Sequence, residues 1–219
     1  MSERDNIFAR IREALTVPAH GSAGKLPGVA EQRQVMPVVS AASDEQLALF
    51  RKNAAELRAD FQPVENQNDL ESKLRALAAA EGWQKIAAHD GQLSGSLARA
   101  LGLPVLLTDG GFDKNDLATC DAGITECDAL VAQTGSVLVT SRSAGGRALS
   151  CLPPHHVVIA RRDQLVADLP AAFELLQKKY GGNFPSMISF ITGPSRTGDI
   201  ERILVLGAHG PKRLTIFII

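Results

Sequence analysis

The stretch Gln62–Thr108, QPVENQNDLESKLRALAAAEGWQKIAAHDGQLSGSLARALGLPVLLT, decides the fold. It reads as a short strand at Gln62–Glu65, a helix at Asn68–Ala80, a strand at Lys85–Ala88, a helix at Gly91–Leu101 and a strand at Val105–Thr108. Strands that alternate with helices of about 10–15 residues imply βαβ units and a parallel sheet. The expected class is therefore α/β, a mainly parallel sheet with flanking helices. Ahead of this stretch, Ser43 or Asp44 is placed to cap a helix running to about Asp60.

From Ala122 the texture changes. Asp128–Ala132 and Ser136–Ser141 are β-rich runs joined by Gln133-Thr134-Gly135, which predicts a tight hairpin inserted into the α/β pattern. Another strand follows at Val157–Ala160, then a helix from Asp163 to about Lys179, ended by Gly181-Gly182. At the other end of the chain, Ile7, Ile11 and Leu15 fall at helical spacing within Asn6–Leu15. Residues 16 to 43 lose periodicity and hold Pro18, Gly21, Gly24, Pro27, Gly28 and Pro37. The expected division is thus an N-terminal helix and Pro/Gly-rich arm over 1–43 and an α/β domain over 44–219. A helix ahead of a flexible linker suits docking on a partner or a second protomer, or folding back on its own domain.

The C-terminal stretch Met187–Ile219, MISFITGPSRTGDIERILVLGAHGPKRLTIFII, carries the polar chemistry. An apolar run, Met187–Ile191, reads as a buried strand that breaks at Gly193-Pro194 into Ser195-Arg196-Thr197-Gly198-Asp199 and returns to an apolar run at Ile203–Leu206. A second turn, Gly207–Arg213, leads into Leu214–Ile219, which reads as an interior strand. The first turn suits an anion. Glycines 193 and 198 allow close backbone approach, Ser195 and Thr197 offer hydroxyls, and Arg196 offers a forked, permanently charged donor. Asp199 is placed to cap a following helical turn; equally, these side chains serve only as caps, with Arg196 paired to Asp199 or Glu201.

Composition excludes several classes. The 219 residues are 45% hydrophobic with a net charge of -1, a globular chain without the basic excess of a nucleic-acid or anionic-membrane binder. No run reaches the ~20 apolar residues of a membrane span, and Met1-Ser2-Glu3-Arg4-Asp5 lacks a signal-peptide pattern, so a cytoplasmic location is expected. Cys120, Cys127 and Cys151 form no CxxC pair, which leaves neither a disulfide framework nor a cluster of four thiolates; they read as small buried hydrophobes. No GxGxxG, Walker A or GxSxG pattern occurs where a dehydrogenase, P-loop ATPase or α/β-hydrolase needs it. No metal-ligand spacing such as HExxH is present, so no metal or cofactor is expected in this chain.

GPSRTGDIE followed by LVLGAHGPKRL resembles the C-terminal signature of the LUD domain family of lactate-utilisation proteins, especially its short C-type branch. The segments Gly123-Ile124-Thr125, Ala132–Val139 and Leu152-Pro153-Pro154-His155 are similar to the family's GIT, AxTGTLVL and LPPxH segments, so that the likeness spans roughly 45 to 219. The chain departs from the pattern at Gly198, where Ala is usual, and at Cys127, where Gly-Ala is frequent. The resemblance implies a fold similar to the isomerase, CoA-transferase and formyltetrahydrofolate cyclo-ligase group, with ligands held by loops at strand ends.

That gives a candidate rim of Thr134, Gly135, Arg142, Gly145, Gly146, Arg147, Gly193, Ser195, Arg196, Thr197, Asp199, His209 and Gly210. Glu126, His155 and His209 are the candidate catalytic groups, each with a plain structural alternative. The resemblance further implies a subunit without its own cluster that acts with iron–sulfur partner proteins to convert L-lactate to pyruvate and binds a small carboxylate. Two alternatives stay open: a stand-alone enzyme for a phosphorylated or CoA-linked small molecule, and a purely scaffolding subunit.

Overall fold

A computed structural model describes residues 3–16, 37–197 and 205–219. The chain falls into two units, residues 1–37 and 38–219. The first contains α1 (Glu3–Thr16), an amphipathic helix none of whose residues is buried. Most of the expected arm, 17–36, lies outside the described residues.

The second unit begins with α2 (Ser43–Glu56), β1 (Asp60–Pro63), α3 (Gln67–Glu81), β2 (Ile86–Ala88), α4 (Ser94–Ala100), β3 (Val105–Leu107) and α5 (Lys114–Ala118). It continues with β4 (Ala122–Glu126), β5 (Ala129–Val131), β6 (Ser136–Thr140), β7 (His155–Ala160), β8 (Leu165–Val166) and α6 (Leu169–Tyr180). Four strands close it: β9 (Ile188–Ile191), β10 (Arg196–Thr197), β11 (Val205–Leu206) and β12 (Arg213–Ile218).

Six strands form one parallel sheet in the order β1-β12-β7-β4-β2-β3. The last strand of the chain, β12, is therefore interior, as its apolar run predicts. Its residues alternate between two cores: Leu214, Ile216 and Ile218 join Phe50 and Ala54 of α2, while Phe217 joins Leu70 and Leu74 of α3 and Leu97 of α4. A second sheet, β8-β5-β6-β9, is built on the expected hairpin. Val137 and Val139 bury its inner face against the first core, and Leu138 meets Ala172 and Leu176 of α6 on its outer face. The layers are thus α3 and α4, the parallel sheet, then α2 beside the hairpin sheet, then α6.

Local chemistry explains where the sequence reading shifts. The helix expected from Asp163 starts at Leu169, because Asp168 caps it through Ala171 N and Pro170 fits its first turn; residues 162–166 form a 3-10 turn and β8 instead. Helix α4 starts at Ser94 rather than Gly91. The cap of α2 is Ala42, without a side-chain bond, rather than Ser43 or Asp44, and that helix ends four residues before Asp60. The run Met187–Ile191 is an edge strand with Ile188 exposed, not a buried one. The expected run Ile203–Leu206 is described only at β11, whose Leu206 is exposed. Cys120 and Cys127 are buried as expected, whereas Cys151 is exposed.

Gly123 shows how tightly the centre is packed: a Cβ there would overlap the Leu149 carbonyl oxygen. Phe217 is fully buried in β12. Phe217→Ala is expected to lower stability by about 3–5 kcal/mol in chemical denaturation, since a cavity in this layer has little room to collapse.

Candidate functional site

Strand direction sorts the candidate residues. The tip of the β5–β6 hairpin, Gln133-Thr134-Gly135, lies against the C-terminal turn of α2: Asn53 Nδ2 donates to Ala132 O at 2.8 Å and Gln133 O at 3.0 Å. Gly135 has φ +67°, and a Cβ there would meet the Asn53 backbone, so only glycine closes this contact without strain. β9 runs antiparallel to β6 and delivers its end to the same tip, where Ser136 Oγ and Thr192 Oγ1 are 2.8 Å apart. Gly193 follows, with φ +86° against Leu57 O.

From there the chain enters a knot of turns beside the N-terminal ends of β7 and β12. Ser195 N donates to Pro211 O at 2.8 Å, Gly207 N donates to Ser195 O at 3.0 Å, and Lys212 N donates to Pro154 O at 2.8 Å. Arg196 and Thr197 form β10, paired with β11, rather than a free turn. A Cβ at Gly210 would come within 3.3 Å of Ser195 Cβ. Thr134, Gly135, Gly193, Ser195, Arg196, Thr197, His209 and Gly210 thus share one end of the domain, while Asp199 lies outside the described residues. Arg196, His209 and Lys212 are exposed there, and among the described residues Arg196 has no ion-pair partner. Thr134 Oγ1 is buried and has no hydrogen-bond partner among the described residues, a condition that a native fold meets with water or a bound group.

His155 starts β7 near this end but faces inward. Its ring is T-shaped against Trp83 at 5.3 Å, and its Nε2 is 2.9 Å from Thr215 Oγ1. The neighbouring His156 sits on the other face, 2.8 Å from Thr125 Oγ1. Burial pushes His155 down to about 4 and His156 to about 3. Both rings are buried and neutral near pH 7, and among the described residues the Nδ1 of each has no hydrogen-bond partner.

The other candidates lie at the opposite end, beyond the C-termini of the parallel strands. Glu126 ends β4, and its Oε1 accepts from Leu93 N at 2.7 Å, Ser94 N at 3.1 Å and Ser94 Oγ at 3.3 Å. His89 Nε2 accepts from Glu126 N at 3.2 Å, and burial lowers the pKa of this ring although Glu126, Asp109 and Asp90 oppose the shift. Gly145 presses on the His89 side chain, and its carbonyl accepts from Thr108 Oγ1 at 3.0 Å. Arg142 and Arg147 are tied down: they donate to Asn183 O at 3.2 Å and Ser186 O at 2.9 Å, and Arg142 also lies over the Tyr180 ring. The expected rim therefore does not converge; the hairpin carries its tip to one end and its following loop, through Gly145 and Gly146, to the other.

The sequence reading missed what holds this second end. Asp128, its side chain fully buried, accepts from Lys179 Nζ at 2.7 Å and from Tyr180 OH at 2.6 Å. Burial works to raise its pKa, but hydrogen bonding from Lys179, Ser143, Tyr180 and Thr140 together prevails and holds it below the usual carboxylate range. A lone carboxylate inside an apolar β-run was the available signal, because a buried charge needs a partner. Among the described residues no group of three His, Cys, Asp or Glu side chains is arranged to hold a metal ion.

Comparison with known proteins adds a family and a fold. Residues 106–219 match the family model described as the LUD domain. The whole chain is 28% identical to "Lactate utilization protein C" of Shouchella clausii, an alignment covering 100% of this chain and 98% of that protein. It is 24% identical to the protein of the same name from Oceanobacillus iheyensis, covering 99% and 97%. Among solved structures, a DUF162 family protein from Deinococcus radiodurans superposes with a TM-score of 0.65 at 20% identity, over 82% of this chain and 99% of that one.

The buried histidines set a pH dependence. Because their pKa values lie below the ordinary 6.5, the unfolded chain binds protons more readily than the folded one. Their contribution to stability is full above about pH 6.5 and is lost as pH falls through about 4 toward about 3. Thermal melts across this range should show that decline, and the His156→Gln variant should show a shallower one.

Proposed function

The chain belongs to the LUD domain family, and on that premise we propose that it serves in lactate utilisation as a subunit without a cluster of its own. Iron–sulfur partner proteins carry the electrons, and this chain holds a small carboxylate such as L-lactate or pyruvate. The relatives named for lactate utilisation align end to end with it, which supports the role. The observation that carries the site is Arg196, an exposed guanidinium without an ion-pair partner among the described residues, set between the glycine-shaped turns at Gly193 and Gly210.

In this reading Arg196 grips the carboxylate through two parallel N–H donors, a geometry that its planar fork favours over a lysine's point charge. Ser195 and Thr197 adjoin it in the chain, and Lys212 adds positive charge at the same end. The site holds and orients the substrate, and the electron transfer belongs to the assembled system.

Glu126 supports a second reading, a stand-alone enzyme acting on a phosphorylated or CoA-linked molecule. Its carboxylate is fixed at the C-terminal edge of a parallel sheet, where open α/β sheets bind ligands. The two readings put the ligand at opposite ends and are separable by substitution.

Calorimetric titration of L-lactate and pyruvate into the purified chain, with Arg196→Ala and Glu126→Gln alongside, discriminates them. The expected result is a loss of about ten-fold or more in affinity for Arg196→Ala at unchanged melting temperature, with Glu126→Gln binding like the wild type. Equal binding by Arg196→Ala would remove the clamp from the account.

A further inference from the structure

Along α2 and the edge strand β1 runs an open groove of about 560 Å³ that plays no part in the site above. Its apolar lining includes Ala48 and Ala55 of α2 and Phe61 and Pro63 of β1. Ala48 and Ala55 stand seven residues apart, two turns of one helix face, so the small side chains leave α2 open to close approach. Phe61 is held in place by Phe50, their rings 5.4 Å apart in a T-shaped contact. Among the described residues the strand beneath is hydrogen-bonded only to β12, which makes this side the edge of the parallel sheet.

The rim of the groove is cationic. Arg51, Lys52 and Arg162 line it, all exposed and none in an ion pair among the described residues. A single carboxylate, Asp44, stands against them. An apolar floor between unpaired cations is complementary to one kind of surface: an apolar stripe with acidic residues on both flanks.

We propose that this groove docks an acidic amphipathic helix of a partner protein, its apolar stripe laid against Ala48, Ala55 and Phe61 and its carboxylates facing Arg51, Lys52 and Arg162. Helix-in-groove recognition places anchors at i, i+3, i+4 and i+7, a spacing that suits a floor two helical turns long. The cations sit on three separate side chains along an open groove. That spread fits charges distributed along a helix better than the single charge of a small anion, which is held by convergent donors. The docking surface is independent of the carboxylate site and stands or falls separately.

The test uses three synthetic peptides of about 18 residues, roughly 27 Å as a helix, that share one Leu/Ala stripe and differ in a Glu, Gln or Lys polar face. Each is titrated by fluorescence anisotropy into the full chain, its Arg51→Glu/Lys52→Glu/Arg162→Glu variant and an Ala48→Trp variant. The wild type is expected to bind the Glu peptide about ten-fold more tightly than the Lys peptide, with the order inverted by the charge reversal. Ala48→Trp, which fills the floor without touching the charges, should weaken all three peptides. Affinities indifferent to the polar face, or an order that survives charge reversal, would overturn the proposal. So would a dimer in sedimentation that the charge-reversed variant disperses, since a second copy would then be the occupant.

Discussion

Everything in the α/β domain depends on one backbone ladder, that of β12. It accepts and donates along both edges, joining β1 on one side to β7 on the other in parallel register. Without it β1 has no strand neighbour, and the cores against α2 and against α3 each lose their central residues. A parallel strand with both faces covered is stable only when apolar on both, and Leu214–Ile218 meets that condition apart from Thr215, which is bonded to His155. The main sheet is therefore completed only when β12 is in place between β1 and β7. The turns that lead into β12 are pulled into fixed positions as a result, and Lys212 bonding to Pro154 is the visible sign of this.

The same ladder separates two kinds of loop. Turns leading into β12 and β7 lie at the N-terminal edge of the sheet, whereas Glu126, His89 and Thr108 lie at its C-terminal edge. The inserted hairpin reverses the chain, so Gly135 joins the first group and Gly145 the second. Each end is held by its own contacts. Asn53 and the glycine contacts brace the first; the buried Asp128, bound by Lys179 and Tyr180, braces the second. Substitutions at Asp128 would act on the second end through its scaffold.

Much of this is legible in the sequence, because periodicity reports burial. The alternation over Gln62–Thr108, the hairpin about Thr134-Gly135 and the interior strand at the C-terminus all follow from apolar spacing. Edges are less legible. Ile188–Ile191 is as apolar as an interior strand, and only its neighbours in space make it an edge. The short elements α5 and β8 have too few residues to show a period. The candidate site was half legible: residue chemistry singled out Arg196 and its neighbours, but the division of the rim requires strand direction. A hairpin returns the following loop to the end where its first strand began, and that inference was available from the sequence. Nothing in the sequence marks Asn53, whose amide reaches carbonyls about 80 residues further along the chain.

The central claim is that this chain contributes to lactate oxidation as a substrate-holding subunit beside iron–sulfur proteins. The most direct measurement is L-lactate-dependent reduction of an artificial electron acceptor by the purified chain, by its iron–sulfur partner proteins, and by the reconstituted mixture. The account predicts turnover in the mixture alone. Full turnover by the iron–sulfur proteins without this chain, or by this chain without them, would contradict it.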